Sequence, residues 1–426
     1  MIELPILILA FLVLLVFGVP IAFAILVPSL LYFVVNDLPL TAALSRMAGT
    51  LNSFTIMAVP FFVLAGQIMN RCGLTERLVG FSLALVGHFR GGLAQVNVMA
   101  SLIFSGMSGS AVADAGGLGS VLIPAMEKDG YRRSFASALT AASCTIGPLV
   151  PPSIPMVIYG VIAEVSIGRL FLAGAFPGFL LAALMMVMLR FMPATATVPR
   201  YPRATLRQIG QRSSAGVLAL LMPVIILGGI IFGIFTPTEA AAAATIYGIV
   251  VGILILRTMK LEGLRQALLE GMLISGGVLF IVAAAGVLAW IIAREGLLID
   301  LVLIVEAWNL TPLQLLLIIS LLLLIVGMVI EPLSILVVLT PLLHPLTMQL
   351  GIDPVHFGVV MVFNLMIGLV TPPMGLALYV VSDISRLPVE RIMRDVLPFY
   401  LPMLAALLIV ILFPELVLFL PNLVFG

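Results

Sequence analysis

The sequence contains very little charge. Only 9% of its 426 residues are Asp, Glu, Lys or Arg, whereas 62% are hydrophobic and the mean hydropathy is +1.30. Soluble domains carry about 25% charged residues, and a chain this apolar could not cover its own surface in water. The net charge of +1 favours neither a basic patch for nucleic acid nor a field that steers charged ligands. We therefore expect a protein that lies in the lipid bilayer and binds no nucleic acid.

Cysteine and histidine are scarce as well. The two cysteines, Cys72 and Cys144, form no CxxC pair, and neither has a neighbour of the kind that ligates a metal. We expect two small buried side chains rather than a disulfide framework or a cysteine metal site, and we expect no cofactor.

Long apolar stretches cover most of the chain. Several exceed the about 20 residues that one spanning helix needs, and they are interrupted by many of the 38 glycines and 28 prolines. Broken backbone at membrane depth is tolerated only where it is buried in protein or lines a cavity. The pattern predicts an all-α polytopic membrane protein in which the breaks are candidates for function.

The most polar stretch, residues 190–212, carries five arginines and no acidic residue. By the positive-inside rule this stretch is cytoplasmic. It divides the chain into a first half (1–200), a cytoplasmic linker (201–213) and a second half (214–426).

Two apolar segments are expected to enter the membrane and return to the same face as re-entrant hairpins. Residues 93–127 have basic residues at both ends, which places both ends in the cytoplasm. The second segment, 312–345, lies in a long gap without Lys or Arg between Arg294 and Arg386, so both of its ends are predicted outside. Each hairpin is followed by an interrupted segment, at about 134–165 and 355–384.

The two halves share a spacing. The separation along the chain between Gly147 and Gly368 is the same as that between Pro151 and Pro372. We call this common separation the repeat offset. Together with the opposite orientations, it predicts an inverted-topology repeat. Such repeats place substrate and coupling-ion sites near the bilayer midplane, where discontinuous helices meet.

The first hairpin tip, residues 104–117, combines three serines and four glycines with Asp114 in an otherwise apolar segment. A hydroxyl without a partner is costly in hydrocarbon. A chain reversal exposes backbone carbonyls that suit a hard cation and N–H groups that suit a carboxylate. The proline-rich break at 147–153 is expected to face this tip. Alternatively, the small residues only let helices pack closely.

The second half repeats the scheme with a tip at 327–335 and a break at 368–373. Glu331 is an intramembrane acid and hence a candidate ion ligand or proton carrier, although it could simply bond to the backbone N–H of Ser334. A further acid, Glu239, follows Thr236-Pro237, where it fits a helix-capping box as well as a functional role.

Four stretches together resemble the large membrane (DctM-like) subunit of TRAP transporters, the tripartite ATP-independent periplasmic systems: SGMSGSAVADAGGLGSVLIPAM, GPLVPPSIPMVIYG, GIFTPTEAAA and GLVTPPMGLALYV. The resemblance covers essentially the whole chain. It implies sodium-driven import of an organic anion, such as a C4-dicarboxylate or sialic acid, by an elevator mechanism in the bacterial inner membrane. It also implies two partners, a small four-helix (DctQ-like) membrane subunit and a periplasmic substrate-binding protein.

The same resemblance implies site residues. One sodium site would use Ser105, Ser108, Ser110, Gly147, Val150 and Pro151. The other would use Glu331, Ser334, Gly368, Val370, Thr371 and Pro372. Residues that match substrate-site positions are Ser108, Asp114, Ser153 and Thr371. Glu331 stands where the family often has Asp, a departure that bears on the second site.

Two other functions remain open at this stage. A stand-alone sodium/dicarboxylate or citrate symporter shares the hairpin architecture but needs no binding protein. A rhomboid-like intramembrane serine protease would explain the sequence Gly106-Met107-Ser108-Gly109, but its chemistry needs a histidine base near the serine. The chain has three histidines, all near the ends of apolar segments, so we expect no enzymatic activity.

Overall fold

The computed structural model describes residues 4–426, and this part of the chain is helical throughout, with no strand. The helices of the first half are α1 (Leu4–Val16), α2 (Ile21–Val35), α3 (Leu40–Leu51), α4 (Ala58–Arg71), α5 (Thr75–Val86), α6 (Gly92–Ser108), α7 (Ala111–Lys128), α8 (Arg133–Ser143), α9 (Ile154–Ile162) and α10 (Ile167–Phe191). Those of the second half are α11 (Leu206–Ile231), α12 (Pro237–Ile249), α13 (Leu261–Glu295), α14 (Leu297–Ala307), α15 (Pro312–Gly327), α16 (Pro332–Gln349), α17 (Pro354–Gly368), α18 (Leu376–Ser385), α19 (Val389–Val396), α20 (Tyr400–Leu412) and α21 (Pro414–Phe425).

Within residues 4–426, six helical segments are long and apolar enough to cross a membrane, and a bent pair within α11 raises the number to seven. These are Phe54–Arg71, Ile167–Phe191, Pro237–Ile255, Leu261–Glu295, Pro332–Gln349 and Val389–Leu412, with the pair Leu206–Ser213 and Gly216–Ile231 bent by 58°. The finding confirms the prediction of an all-α polytopic membrane protein.

The chain reverses or unwinds at the glycine- and proline-rich positions. Helices α6 and α7 are separated only by Gly109, which has a φ of 59°, and Ser110. Helices α15 and α16 are separated by residues 328–331. The two interrupted segments follow: α8 and α9 are separated by residues 144–153, and α17 and α18 by residues 369–375. Both interruptions contain Pro-Pro, and because proline lacks the N–H that continues a helix, the helices break at these positions.

Helix boundaries recur along the chain. Helices α7 and α16 begin at Ala111 and Pro332, and these two starts are separated by the repeat offset. Helices α8 and α17, which begin at Arg133 and Pro354, have the same separation. The offset read from Gly and Pro in the sequence is therefore also an offset between elements.

Two sets of helices pack around the breaks. Helix α4 lies along α12 and α13, and α2 and α3 also pack on α13. The second set includes α6–α10 and α15–α20, whose hairpins and interrupted helices pack against one another. We call α2–α4 with α11–α13 the scaffold helices.

The segment after α10 is fastened to the first hairpin. The Tyr201 hydroxyl donates to Asp129 Oδ2 at 2.7 Å, and the Tyr201 N–H donates to the Gly87 carbonyl at 3.2 Å. Burial and the neighbouring Asp129 carboxylate raise the pKa of Tyr201 to about 12, so the phenol remains a donor at neutral pH. Helix α11 then begins at Leu206, so the later residues of the 201–213 stretch are helical.

Candidate binding site at the hairpin tips

The first hairpin tip is bonded to the interruption that faces it. Ser110 caps α7, its hydroxyl accepting from the Ala113 N–H at 3.5 Å. The N–H of Ile154, the first residue of α9, donates to the Gly109 carbonyl at 3.4 Å. A side chain on Gly109 would collide with the Pro152 carbonyl, so glycine permits the contact as well as the turn.

Asp114 lies at the centre of this contact. Its side chain is fully buried in the first turn of α7, and its Oδ1 accepts a hydrogen bond from the Ser108 hydroxyl. The other oxygen, Oδ2, has no hydrogen-bond partner among the described residues and lies against Gly147, where a Cβ would overlap it. The structure therefore brings Ser108, Asp114 and Gly147 together around one unpaired carboxylate oxygen.

The other first-half candidates lie in the same hairpin tip and interruption. The Ser105 hydroxyl donates to the Leu102 carbonyl of its own helix at 2.5 Å. Ser153 caps α9, accepting from the Met156 N–H at 3.2 Å and donating to the Pro148 carbonyl. Within residues 4–426, no hydrogen bond is donated to the carbonyl oxygens of Gly147, Val150 or Pro151, which leaves them free to bind a cation.

The second hairpin tip has a different arrangement of polar groups. Glu331 caps α16, and its Oε2 accepts from both the N–H and the hydroxyl of Ser334 at 2.9 Å. The N–H of Met374 donates to the Met328 carbonyl at 3.0 Å and so joins this tip to its own interruption. Of the alternatives left open for Glu331, the bond to Ser334 is thus present.

The oxygens of the second interruption already have partners. The Val370 carbonyl accepts from the Tyr400 hydroxyl at 2.9 Å, and the Gly368 carbonyl accepts from the Thr371 N–H at 2.9 Å. The Thr371 hydroxyl donates to the Ile367 carbonyl at 2.6 Å. A Cβ on Gly368 would lie 2.7–2.8 Å from backbone atoms of Gly327, so the helices meet through bare backbone. Pro372 follows and is half-buried.

Both tips line one cavity of about 100 Å³. Its walls include Ser108, Ser110 and the first residues of α7 from the first tip, and Glu331 with the first residues of α16 from the second. Scaffold helices α4 and α13 close the opposite side. Of the predicted substrate residues, Ser108 lines this cavity, whereas Asp114, Ser153 and Thr371 do not.

A second, larger cavity of about 730 Å³ continues along the same helices. On α13, Val278 lines the small cavity and Val282, one turn later, lines the large one. On α9, Ile154 lines the small cavity and Gly160 the large one. The larger cavity, which we call the vestibule, therefore lies between scaffold helices α12 and α13 and helices α9 and α16.

Two polar residues of the small cavity were missed by the sequence analysis. Gln67 and Asn70 of α4 line it from the scaffold side. A signal was available, since they are the only two amides in the apolar run FFVLAGQIMN and are three residues apart on one helix face.

The remaining candidates have structural partners. Glu239 forms the capping box, its Oε2 accepting from the Thr236 N–H at 2.8 Å. Two histidines contact other groups, His344 the Tyr159 hydroxyl and His356 the Val410 carbonyl. Ser108 donates to Asp114 and not to a histidine, so the described residues lack the serine–histidine pair of a protease.

Apolar spans, two hairpins facing two interrupted helices, and a cavity with a few polar residues between them define the class of membrane transporters. Solved transporters share the fold. The Alcanivorax borkumensis YdaH transporter superposes with a TM-score of 0.61 at 17% identity, covering 88% of this chain and 89% of that one. Neisseria gonorrhoeae MtrF, described among antimetabolite efflux pumps, gives a TM-score of 0.59 at 15% identity over 88% and 83% of the chains.

Sequence comparison assigns the family. The profile described as "Tripartite ATP-independent periplasmic transporter, DctM component" matches residues 8–416, and the chain belongs to this family. The Vibrio cholerae sialic acid TRAP transporter large permease protein SiaM is 47% identical over 96% of both chains. The Haemophilus influenzae permease SiaT is 41% identical over 97% of this chain and 68% of its own length. The Pseudomonas aeruginosa C4-dicarboxylate permease DctM is 38% identical over 88% of both. These relatives are named as transporter permeases, not enzymes.

Proposed function

We propose that this chain is the large permease subunit of a sodium-driven TRAP importer of an organic anion, with sialic acid as the first candidate and C4-dicarboxylates as the second. The observation that carries the proposal is the convergence of both hairpin tips on one cavity, with the unpaired carboxylate oxygen of Asp114 buried behind the first tip. The names of the similar permeases supply the candidate substrates.

The first ion site is built around Asp114. A buried carboxylate with an unpaired oxygen is costly unless a proton or a cation compensates its charge. The free carbonyls of Gly147 and Val150, with the hydroxyls of Ser105, Ser108 and Ser110 nearby, are oxygen ligands of the type that a hard cation takes. Asp114 thus acts with the sodium ligands in this proposal and not on the substrate.

The anion is bound at the N-terminus of α7. This helix begins at the small cavity, and the unpaired N–H groups of its start favour negative charge. Helix α16 begins with Pro332, which has no N–H, and its start already carries the Glu331 carboxylate. Sodium held behind the first tip adds a positive charge close by. Ion and anion therefore raise each other's affinity, which is the linkage that coupled transport needs.

The packing of the helices in two sets supports an elevator mechanism of transport. The hairpins and interrupted helices move as one body against the scaffold helices, and the vestibule provides access from one face of the membrane. The recurrence of helix starts at the repeat offset supports an inverted repeat, whose two members face opposite sides of the bacterial inner membrane. The periplasmic binding protein and the small four-helix subunit complete the system.

The test is uptake by proteoliposomes that contain this chain, its small membrane subunit and the binding protein. An inward sodium gradient should drive accumulation of radiolabelled sialic acid, and an equal potassium gradient should not. Omission of the binding protein should abolish uptake. Full uptake by the chain alone would favour the stand-alone symporter, and uptake indifferent to sodium would refute the proposal.

A further inference from the structure

Helix α4 contributes polar groups to a cavity that otherwise belongs to the hairpin tips. Val63, Gly66, Gln67 and Asn70 form one face of α4 and line the cavity opposite Ser108. The helix approaches the first tip closely, since a Cβ on Gly66 would lie 2.9 Å from the Ser108 carbonyl oxygen. The amides of Gln67 and Asn70 are therefore held beside the tip by the scaffold.

Asn70 has an acceptor that nothing in the described chain satisfies. Its Oδ1 is buried without a hydrogen-bond partner among residues 4–426. A buried polar atom left in this state costs about 1–3 kcal/mol, so such atoms usually have a ligand or water to bond to. The orphaned atom is an acceptor, and what it lacks is a donor.

The fold itself does not require amides at these positions. The repeat offset places Leu288 and Ile291 of α13 at the positions that correspond to Gln67 and Asn70. Both are buried apolar residues, and Leu288 lines an apolar cavity beside the second hairpin tip. One half thus packs apolar side chains where the other presents two amides to a cavity.

The charged residue of the cavity and its orphaned acceptor limit which groups of a ligand can bind there. Glu331 is the only charged residue among the described lining residues, and its Oε2 is bonded to Ser334. A carboxylate group of the substrate has the start of α7 for a partner, but it has no proton to offer the Asn70 oxygen. A hydroxyl or amide N–H on the same substrate supplies that proton.

We propose that Gln67 and Asn70 form a scaffold-borne specificity site that binds the hydroxyl or amide groups of the transported anion. The transported class is then a hydroxylated or acylamino sugar acid rather than a bare dicarboxylate. This inference rests on the proposed function of the chain as an anion permease. Because α4 belongs to the scaffold, the contact exists only while the first tip lies against α4, and it strengthens substrate binding in that one state.

The experiment measures sodium-driven uptake of radiolabelled sialic acid by the complete three-component system. Unlabelled competitors are sialic acid, analogues lacking the glycerol side chain or the acetamido group, and a C4-dicarboxylate. The wild type should prefer the full sugar acid to the C4-dicarboxylate, and Asn70→Leu and Gln67→Leu should each reduce that preference at least about tenfold, because a site built for hydrogen bonding rejects ligands that lack the matching group. Asn52→Leu, an exposed scaffold amide outside the cavity, is the matched control.

Distinct outcomes separate this inference from the proposed function. Absence of sodium-driven uptake by the wild type refutes the proposed function. Sodium-driven uptake with an unchanged competitor ratio in both variants, or a wild type that prefers the dicarboxylate, refutes the specificity site alone. If Asn70→Leu does not fold, the competitor ratio is measured with Asn70→Ala instead. If Asn70 had only a structural role, the variant would take up less of every substrate and the competitor ratio would stay unchanged.

Discussion

The two halves of the chain share their breaks but not their chemistry. At the repeat offset, the helix caps Ser110 and Glu331 are equivalent, whereas the equivalent of Asp114 is Ile335, a buried apolar residue. The Asp114 carboxylate keeps one oxygen unpaired, and the Glu331 carboxylate is bonded to Ser334. The comparison shows that breaks at equivalent positions do not carry the same polar groups, because the carboxylate occupies a different position in each half.

The carbonyl groups of the two interruptions also differ in whether they have a hydrogen-bond donor. Carbonyls of Gly147 and Val150 lack a donor among the described residues, while those of Gly368 and Val370 accept from Thr371 and Tyr400. The first half therefore has carbonyl oxygens without a donor, as the proposed sodium site requires. In the second half the corresponding oxygens already have donors, and the second sodium site stays a prediction.

Asp114→Asn should have the largest effect. Asparagine keeps the size and an acceptor for Ser108 but removes the negative charge beside Gly147. Loss of a charge-assisted contact costs about 1.5–3 kcal/mol, so the half-saturating sodium concentration should rise about 10- to 100-fold. Sodium titration of uptake measures it.

The matched variant is Glu331→Gln, which removes the charge of the acid at the second tip and keeps the size of its side chain. We expect a smaller rise in the half-saturating sodium concentration for this variant. A large rise for Glu331→Gln and none for Asp114→Asn would mean that Glu331, and not Asp114, is the ion-binding carboxylate.

Replacement of the glycine of each interruption by alanine should affect sodium dependence in one half and stability in the other. Gly147→Ala places a Cβ on the free oxygen of Asp114, and Gly368→Ala places one 2.7–2.8 Å from the backbone of Gly327. Overpacking costs about 1–3 kcal/mol. Gly147→Ala should raise the half-saturating sodium concentration, whereas Gly368→Ala should mainly lower the melting temperature. Equal sodium responses in the two variants would remove the distinction between the halves.

Glu331 can be tested as a cap. Glu331→Ala should destabilise the protein by about 1 kcal/mol, within the range of lost helix caps, and Glu331→Ser should restore most of that stability because serine is the cap in the first half. Thermal unfolding of the detergent-solubilised protein measures both. A Ser variant that is stable but needs much more sodium would instead identify Glu331 as an ion ligand.

The backbone breaks were predictable from single residues. Gly109, Pro151 and Pro372 act through φ and the missing N–H, which are properties of the residue itself. The repeat offset was also readable, because Gly and Pro recur at it. Local chemistry thus gave the membrane class and the positions of the interruptions.

The partners of polar groups were not predictable in this way. The Val370 carbonyl accepts a hydrogen bond from Tyr400, thirty residues further along the chain. This contact depends on how α20 packs. Asp114 matches a substrate-site position by resemblance, and that role stays a prediction; its unpaired oxygen lies against Gly147, and Asp114 is not among the residues that line the small cavity. Long-range packing decides such contacts, and no local pattern encodes it.

Tyr400→Phe should have the smallest effect and is the most informative about the second half. It removes the hydroxyl that donates to the Val370 carbonyl at 2.9 Å. The loss of one hydrogen bond costs about 0.5–1.5 kcal/mol, so the melting temperature should fall by about 1–2 °C. The tyrosine hydroxyl and a sodium ion compete for the same oxygen. If Val370 is a sodium ligand, removal of the competitor should therefore lower the half-saturating sodium concentration about two- to fivefold, a gain below about 1 kcal/mol. A lower melting temperature with unchanged sodium dependence would mean that the bond to Tyr400 only braces the interruption, and that the cation of this half, if bound, takes its oxygens elsewhere.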